Sequence, residues 1–419
     1  MMKLDNEKDR IAKRSSYRFH FKNKDMDFYL MAATINISHD GASIGEIMYA
    51  ANRIKENDPE SWASEWLALA ERCEERADEA LEKGYVTTAA KQYLHAYTYY
   101  RIGIIGISTS SELRDKTYHR FVSCFQRGTM HLDTHIEPIQ VPWTRGDDEL
   151  LMPGYFMSPD SSGKKRPTVI ILNGGEMYPE DQYFWGGATA LERGFNVITL
   201  AYEGSRAPSV LYPDLPELDP AEVMIEPGFH RFIVDYAIKR PETDAEHLAA
   251  IGFSSGAYQV MHQASFDKRI KALVLAAPLY DINALLTEEI PNALQNAPTF
   301  VLNALTKLAA KVNPFSRVSL EHAADASRVS SMKELMDMSK RIPPVDPKSI
   351  SCPVLCLVGD GDSDEQLRQF HEFYETVSSK IKDMRIFTQK DGASMHCQID
   401  NLSLLEQTAF DWLSSVLPS

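Results

Sequence analysis

From His131 onward, short apolar runs alternate with helical segments, and this alternation restricts the chain to very few folds. The runs are Pro167 to Asn173, Asn196 to Tyr202, His247 to Phe253, Ala272 to Pro278, Pro353 to Gly359 and Met384 to Gln389. Most are continuous rather than alternating, the pattern of parallel strands covered on both faces. Helical segments separate them over residues 181–193, 229–239, 256–264, 363–377 and 402–417. Repeated strand–helix–strand units specify an α/β fold with a doubly wound, mostly parallel sheet. Two runs just upstream, Thr134 to Trp143 and Glu149 to Pro159, read as antiparallel strands that open it.

The alternation breaks once, between Asp281 and Ile342, where the sequence is helical and loop-like. An insertion there lies over the carboxyl ends of the strands, where α/β sheets bind ligands, and it reads as a lid. Its apolar residues are Leu285, Leu286, Ile290, Leu294, Phe300, Val301, Leu302, Leu305 and Leu308. That is more apolar surface than a free loop exposes, so part of it should face a bulky acyl or aromatic substrate. Tyr178, Tyr183 and Trp185, from the loop that follows the Pro167–Asn173 strand, are expected to join it.

The first 130 residues differ in character. Trp62, Trp66, Ala68, Leu69, Cys73, Ala77 and Leu81 recur at three- and four-residue steps, and Gly84 supplies a stop. A second helix is expected over Thr87 to Ile102 and a third over Ser110 to Phe125, with Ser110 as its N-cap. The helix pair around Tyr85 has the form of one tetratricopeptide unit. A single unit cannot bury its own face and no second copy follows, so a helical region packed on another body is expected. The chain thus divides into a helical region 1–130, a first core part 131–281, a lid 282–342 and a second core part 343–419.

Charge narrows the partners. Lys and Arg number 44 against 59 Asp and Glu, a net −15 that repels phosphate backbones and anionic membranes. No stretch approaches the roughly 20 apolar residues that span a bilayer, and the N-terminus has no secretory apolar core. Five cysteines (Cys73, Cys124, Cys352, Cys356 and Cys397) lack framework spacing and read as free thiols of a reducing compartment. The expectation is a cytoplasmic protein acting on a small molecule, with a homodimer left open and neither nucleic acid nor membrane as partner. Metal clusters, a P-loop and a dinucleotide fingerprint are missing from the sequence, so neither cofactor nor metal is expected.

Gly252-Phe253-Ser254-Ser255-Gly256 is a G-x-S-x-G between an apolar strand and a helix. That context suits a tight turn that pushes the central hydroxyl out of the sheet, making Ser254 the nucleophile. A serine needs a base, and the base an orienting acid, in the chain order Ser, acid, His. His396 follows the last strand and precedes the final helix, where the base belongs, whereas His262 on the elbow helix reads as packed or solvated. After the Pro353–Gly359 strand, Asp360, Asp362 and Asp364 compete as the acid. Asp362 has the G-x-x-D spacing, and Asp364 already enters the next helix. The oxyanion hole needs two amides. Ser255 supplies one, and Gly175 or Glu176, in the loop after the Pro167–Asn173 strand, supplies the other.

On these pieces the chain resembles the α/β-hydrolases. Within them it resembles the group containing 2,6-dihydropseudooxynicotine hydrolase and the fungal polyketide chain-shortening hydrolases. VIILNGGE, ALERGFNVITLAYEG, AAIGFSSGAYQ, LVGDGDSDE and DGASMHCQ carry the resemblance over residues 131–419, with a helical region ahead as in that group. It implies an α/β-hydrolase fold and a Ser254, Asp362 and His396 triad. It further implies cleavage of a carbon–carbon bond beside a ketone, in a polyketide-like or aromatic β-dicarbonyl substrate. Two loops depart from the family pattern. Glu203-Gly204 is followed by Ser205-Arg206 rather than Pro-Gly, and Met177 stands where an Asp is common. Both loops, with Glu203, are expected at the substrate. A carboxylesterase, an acyltransferase on a bulky acyl group, and a non-catalytic receptor or scaffold of this fold are the alternatives.

Overall fold

In the computed structural model, residues 15–145, 148–215, 227–288, 297–298, 301–302, 304, 308 and 311–417 are described. Ile290, Leu294, Phe300 and Leu305 of the expected lid lie outside them, as do the first fourteen residues. The strands are β1 (His135–Arg145), β2 (Asp148–Ser158), β3 (Arg166–Leu172), β4 (Asn196–Leu200), β5 (Thr243–Phe253), β6 (Ala272–Ala276), β7 (Val354–Gly359) and β8 (Lys382–Phe387). They form one sheet in the order β1-β2-β4-β3-β5-β6-β7-β8. Only β1–β2 and β2–β4 are antiparallel; β4, β3, β5, β6, β7 and β8 run parallel.

Side-chain alternation along β3 explains why both faces are apolar. Val169 and Ile171 enter one buried cluster, and Ile170 and Leu172 enter the other. The second cluster is closed by the helices Pro227–Lys239, Ser255–Phe266 and Asp364–Thr376. The first runs without a break from β3, β4 and β5 to the helix Leu402–Val416 and into the N-terminal helices. Those helices are α1 (Lys24–Ile35), α2 (Ile44–Ala51), α3 (Pro59–Glu82), α4 (Val86–Gly103) and α5 (Glu112–Thr129).

Helix α3 starts at the Asp58 cap, whose carboxylate accepts from the Ser61 amide, and Pro59 supplies its first residue. Its buried stripe is Trp62, Trp66, Leu69, Cys73, Ala77 and Ala80; Leu81, expected there, is exposed because it lies one step round the helix. Helix α5 begins one residue later than expected: Ser111, not Ser110, caps it by accepting from the Leu113 amide. Helix α1 has no counterpart in the sequence reading. Asp27 within it accepts from the amides of Phe19, His20 and Phe21, at 2.7, 2.6 and 2.7 Å, and so fixes the segment before the helix.

Candidate active site

The strand β5 ends at Phe253 and its helix starts at Ser255, leaving Ser254 at the turn with φ +53° and ψ −120°. Its amide donates to the Ala276 carbonyl at 2.9 Å, and its own carbonyl accepts from the Ala257 amide at 2.8 Å. A Cβ on Gly252 would come within 2.4 Å of the Gly256 carbonyl oxygen, and one on Gly256 within 2.3 Å of that of Leu172. The two flanking glycines therefore let the helix pass against the strands, while Ser254 itself carries the unusual backbone.

Two loops meet beside this turn. The Gly361 amide donates to the Ser394 carbonyl at 2.9 Å, joining the loop after β7 to the loop after β8. His396 Nδ1 donates to Asp362 Oδ1 at 2.5 Å, with the Asp362 side chain 1% exposed. The Asp400 carboxylate accepts from the Ser394 and Met395 amides at 3.0 and 3.2 Å, fixing the backbone just before His396. Of the competing carboxylates, Asp360 is exposed, and Asp364 opens the helix that Ser363 caps. Burial works against a charged imidazole, but the neighbouring Cys397 and the Asp362 carboxylate outweigh it and hold His396 well above the ordinary histidine value.

The loop after β3 runs along the other side. A Cβ on Gly174 would lie 3.4 Å from Ser254 Cβ, and one on Gly175 3.5 Å from Ser255 Oγ. Ser254, Ser255, Gly175, Glu176, Trp185, Glu203, Asp362 and His396 all line one cavity of about 400 Å³. The cavity is roofed by helices: Phe28, Tyr29 and Ala32 from α1, Thr98, Arg101 and Ile102 from α4, and Leu285, Leu286, Ala323, Ala326, Arg328, Leu335 and Met338 from the 282–342 stretch.

No protein-family model matches the chain. Alpha/beta hydrolase xenA of Xenoacremonium sinensis is 29% identical over 64% of this chain, and the match spans 63% of that relative's own length. The 20-hydroxy-prefusarin hydrolase FUS2 of Gibberella moniliformis is 26% identical over 94% of this chain and 97% of its own. Among solved structures, 2,6-dihydroxy-pseudo-oxynicotine hydrolase superposes with a TM-score of 0.62 at 18% identity, covering 92% of this chain and 95% of that one. The chain has the α/β-hydrolase fold.

Two expected contacts need correction. Tyr178 does not line the cavity: its ring lies edge-on to Phe121 at 4.9 Å and beneath the Arg101 guanidinium at 5.0 Å. Tyr183 is likewise turned away, edge-on to Phe184 at 5.0 Å and to Phe125 at 6.0 Å. In both cases the loop aims its tyrosines at the N-terminal helices, whose aromatic surface buries them. Glu203 does reach the cavity, but its carboxylate is taken by Arg328, Nε to Oε2 at 3.1 Å and Nη2 to Oε1 at 3.2 Å. Of the expected lid residues, Leu285 and Leu286 line the cavity. Val301 and Leu302 pack with Ala297 and Met336 instead, and Leu308 is exposed.

Elsewhere, His262 stacks on Tyr258, and burial pushes its pKa down to about 4. Among the described residues one set has metal-ligand chemistry, Glu46, Cys73 and His95, away from the cavity. Glu46 there accepts from Arg76 at 2.9 Å and Tyr99 at 2.8 Å, and the guanidinium opposes a cation. Among the described residues no helix is long and apolar enough to cross a membrane. Arg101, Tyr29 and Arg328 were not anticipated. An arginine at the end of the tyrosine-rich α4, where every neighbour is apolar or aromatic, was the one available signal.

Proposed function

We propose that the chain is a serine hydrolase that cleaves a carbon–carbon bond beside a ketone in a bulky β-dicarbonyl substrate. Residues 131–281 and 343–419 form its core, and 1–130 and 282–342 its helical cover. The observation that carries the reading is the Asp362–His396 hydrogen bond facing the same cavity as the Ser254 turn. With Nδ1 donating to Asp362, the imidazole is fixed in the tautomer whose Nε2 can accept the serine proton.

Ser254 Oγ attacks the ketone carbon, and its proton passes to His396 Nε2. The resulting oxyanion is held by the amides of Ser255 and of Gly175 or Glu176. The carbon–carbon bond then breaks, its electron pair moves into the neighbouring carbonyl as an enolate, and His396 returns the proton to carbon. Water, deprotonated by His396, hydrolyses the acyl-Ser254 ester. One diketone and one water give one carboxylic acid and one ketone. The roof of apolar helices and the volume of about 400 Å³ favour a substrate much larger than an acetate. The 20-hydroxy-prefusarin hydrolase among the relatives supports a polyketide-like substrate.

The test compares an aryl β-diketone with the matched aryl ester, for the wild type and Ser254→Ala. Acid and ketone from the diketone, absent with Ser254→Ala, is the expected result. Ester turnover without diketone cleavage would leave a carboxylesterase, and no turnover of either with no acyl-enzyme would leave a binding protein.

A further inference from the structure

Glu176 is gripped on both sides by the N-terminal helices. Its main-chain carbonyl accepts from Arg101 Nη2 at 2.7 Å, and its carboxylate accepts from the Tyr29 hydroxyl at 2.9 Å. Arg101 is itself immobilised. Its Nε donates to Asp181 Oδ1 and Oδ2 at 3.1 and 2.9 Å, and its guanidinium lies over the Tyr178 ring. Asp181 also accepts from the Tyr97 hydroxyl at 2.5 Å and the Tyr178 amide at 2.8 Å. One guanidinium–carboxylate pair therefore ties α4 to the whole 176–181 segment. The carbonyl and the side chain are two substituents of the Glu176 α-carbon, and with both held the position of the third, the amide nitrogen, is set by tetrahedral geometry.

Stability alone is a poor reason for this arrangement. A buried ion pair is often matched or bettered by apolar side chains of the same volume. Arg101 Nη1 is moreover buried and has no hydrogen-bond partner among the described residues, which adds to the cost. We propose that Arg101 is the positioning residue of the oxyanion loop, so that the N-terminal helices complete the catalytic site. The inference rests on Ser254 as nucleophile and on Gly175 or Glu176 as an oxyanion donor. Loosening that loop removes an interaction made in the transition state and not in the ground state, so kcat falls and KM stays.

The experiment uses the full chain with Arg101→Met, Arg101→Lys and Tyr29→Phe. It measures kcat and KM on the diketone and on the ester, and the rate at which a fluorophosphonate labels Ser254. Labelling enters because the phosphoryl oxygen calls on the same donors. Arg101→Met should lower kcat about 100-fold on both substrates, the scale of one lost oxyanion donor. KM should stay within about threefold, labelling should slow in parallel, and Arg101→Lys should recover part of the loss. Tyr29→Phe leaves every charge in place and should lower kcat about fivefold with the same KM split, well short of a lost donor. Unchanged kcat and labelling in an Arg101 variant that melts like the wild type, or a loss in KM alone, would overturn the role. If the Arg101 variants do not fold, Tyr29→Phe decides, and an unchanged kcat there overturns it. Absence of label on Ser254 in the wild type would overturn the serine-hydrolase reading and this inference with it. Normal wild-type labelling with unaffected variants overturns the inference alone.

Discussion

At the carboxyl edge of the sheet, Ser254, Asp362 and His396 stand on short loops whose backbones are tied to one another and to β3, β6 and β7. Across the cavity, the roof is assembled from α1, α4 and the 282–342 stretch, which are far apart in the chain and meet only through packing. The edge holds polar groups at fixed distances, and the roof holds apolar area. Under the proposed function this is a division of labour, in which the edge does the chemistry and the roof selects what reaches it. Arg101 is the place where the two are joined.

Changes at the edge should have the largest effects. Ser254→Ala and His396→Ala should each reduce kcat by about 10⁴ to 10⁶ with an unchanged unfolding midpoint. Residual activity near the wild type would remove the edge from the chemistry. Asp362→Asn should cost about 10⁴ in kcat, because the imidazole is no longer held in the useful tautomer. Asp360→Asn should leave the rate within about threefold, since a surface carboxylate touches nothing that reacts.

The same pair sets the pH dependence. The base must be neutral to act, and His396 is held above the ordinary value. The acid limb of log(kcat/KM) should therefore bend above the usual histidine pKa of about 6.5, with activity still rising through neutral pH. A limb complete by pH 6 in the wild type would contradict the Asp362 contact.

Changes in the roof should sort substrates rather than stop catalysis. Ile102→Trp places an indole in the cavity wall and should lower kcat/KM for a bulky aryl substrate by about 10- to 100-fold. An acetyl ester should stay within about threefold. Equal losses on both would show that the roof supports the edge everywhere and not only through Arg101. The smallest catalytic effect belongs to Glu203→Gln, which leaves Arg328 buried without its charge partner. Unfolding in denaturant should show a loss of about 3 kcal/mol while kcat changes less than threefold. A large kcat loss there would make Glu203 a substrate contact after all.

The two regions also differ in what could be read from the sequence. The central parallel strands were visible because a run covered on both faces is apolar throughout, as in the wholly buried β4, β6 and β7, whereas the edge strand β8 is largely exposed and starts two residues before the run read for it. The elbow was visible because its glycines are local requirements of one turn. The roof was not. Helix α1 is buried at Met26, Phe28, Tyr29, Leu30, Met31, Ala33 and Ile35, which cover nearly its whole circumference, so it shows no amphipathic period. Tyr178 and Tyr183 read the same in sequence whether they face a substrate or Phe121 and Phe184; only the partner decides. Choosing Asp362 over Asp360 by spacing agrees with the contact to His396, whereas no spacing rule pairs Arg101 with residues 75 and 80 positions away.

The backbone of Ser254 sets function against durability. Its φ of +53° suits glycine, and a side chain there stores about 1–3 kcal/mol of strain. Ser254→Gly should release that strain and give back only about 0.4–1 kcal/mol through the looser unfolded chain. The variant should unfold at a higher denaturant concentration than the wild type, and higher than Ser254→Ala, which keeps the Cβ. A less stable glycine variant would show that the neighbouring turns impose no strain. A chain under selection only for persistence would therefore drift toward glycine at this position. It would keep the cavity and its roof, lose its nucleophile, and become by a single codon change a more stable protein that binds and no longer cleaves.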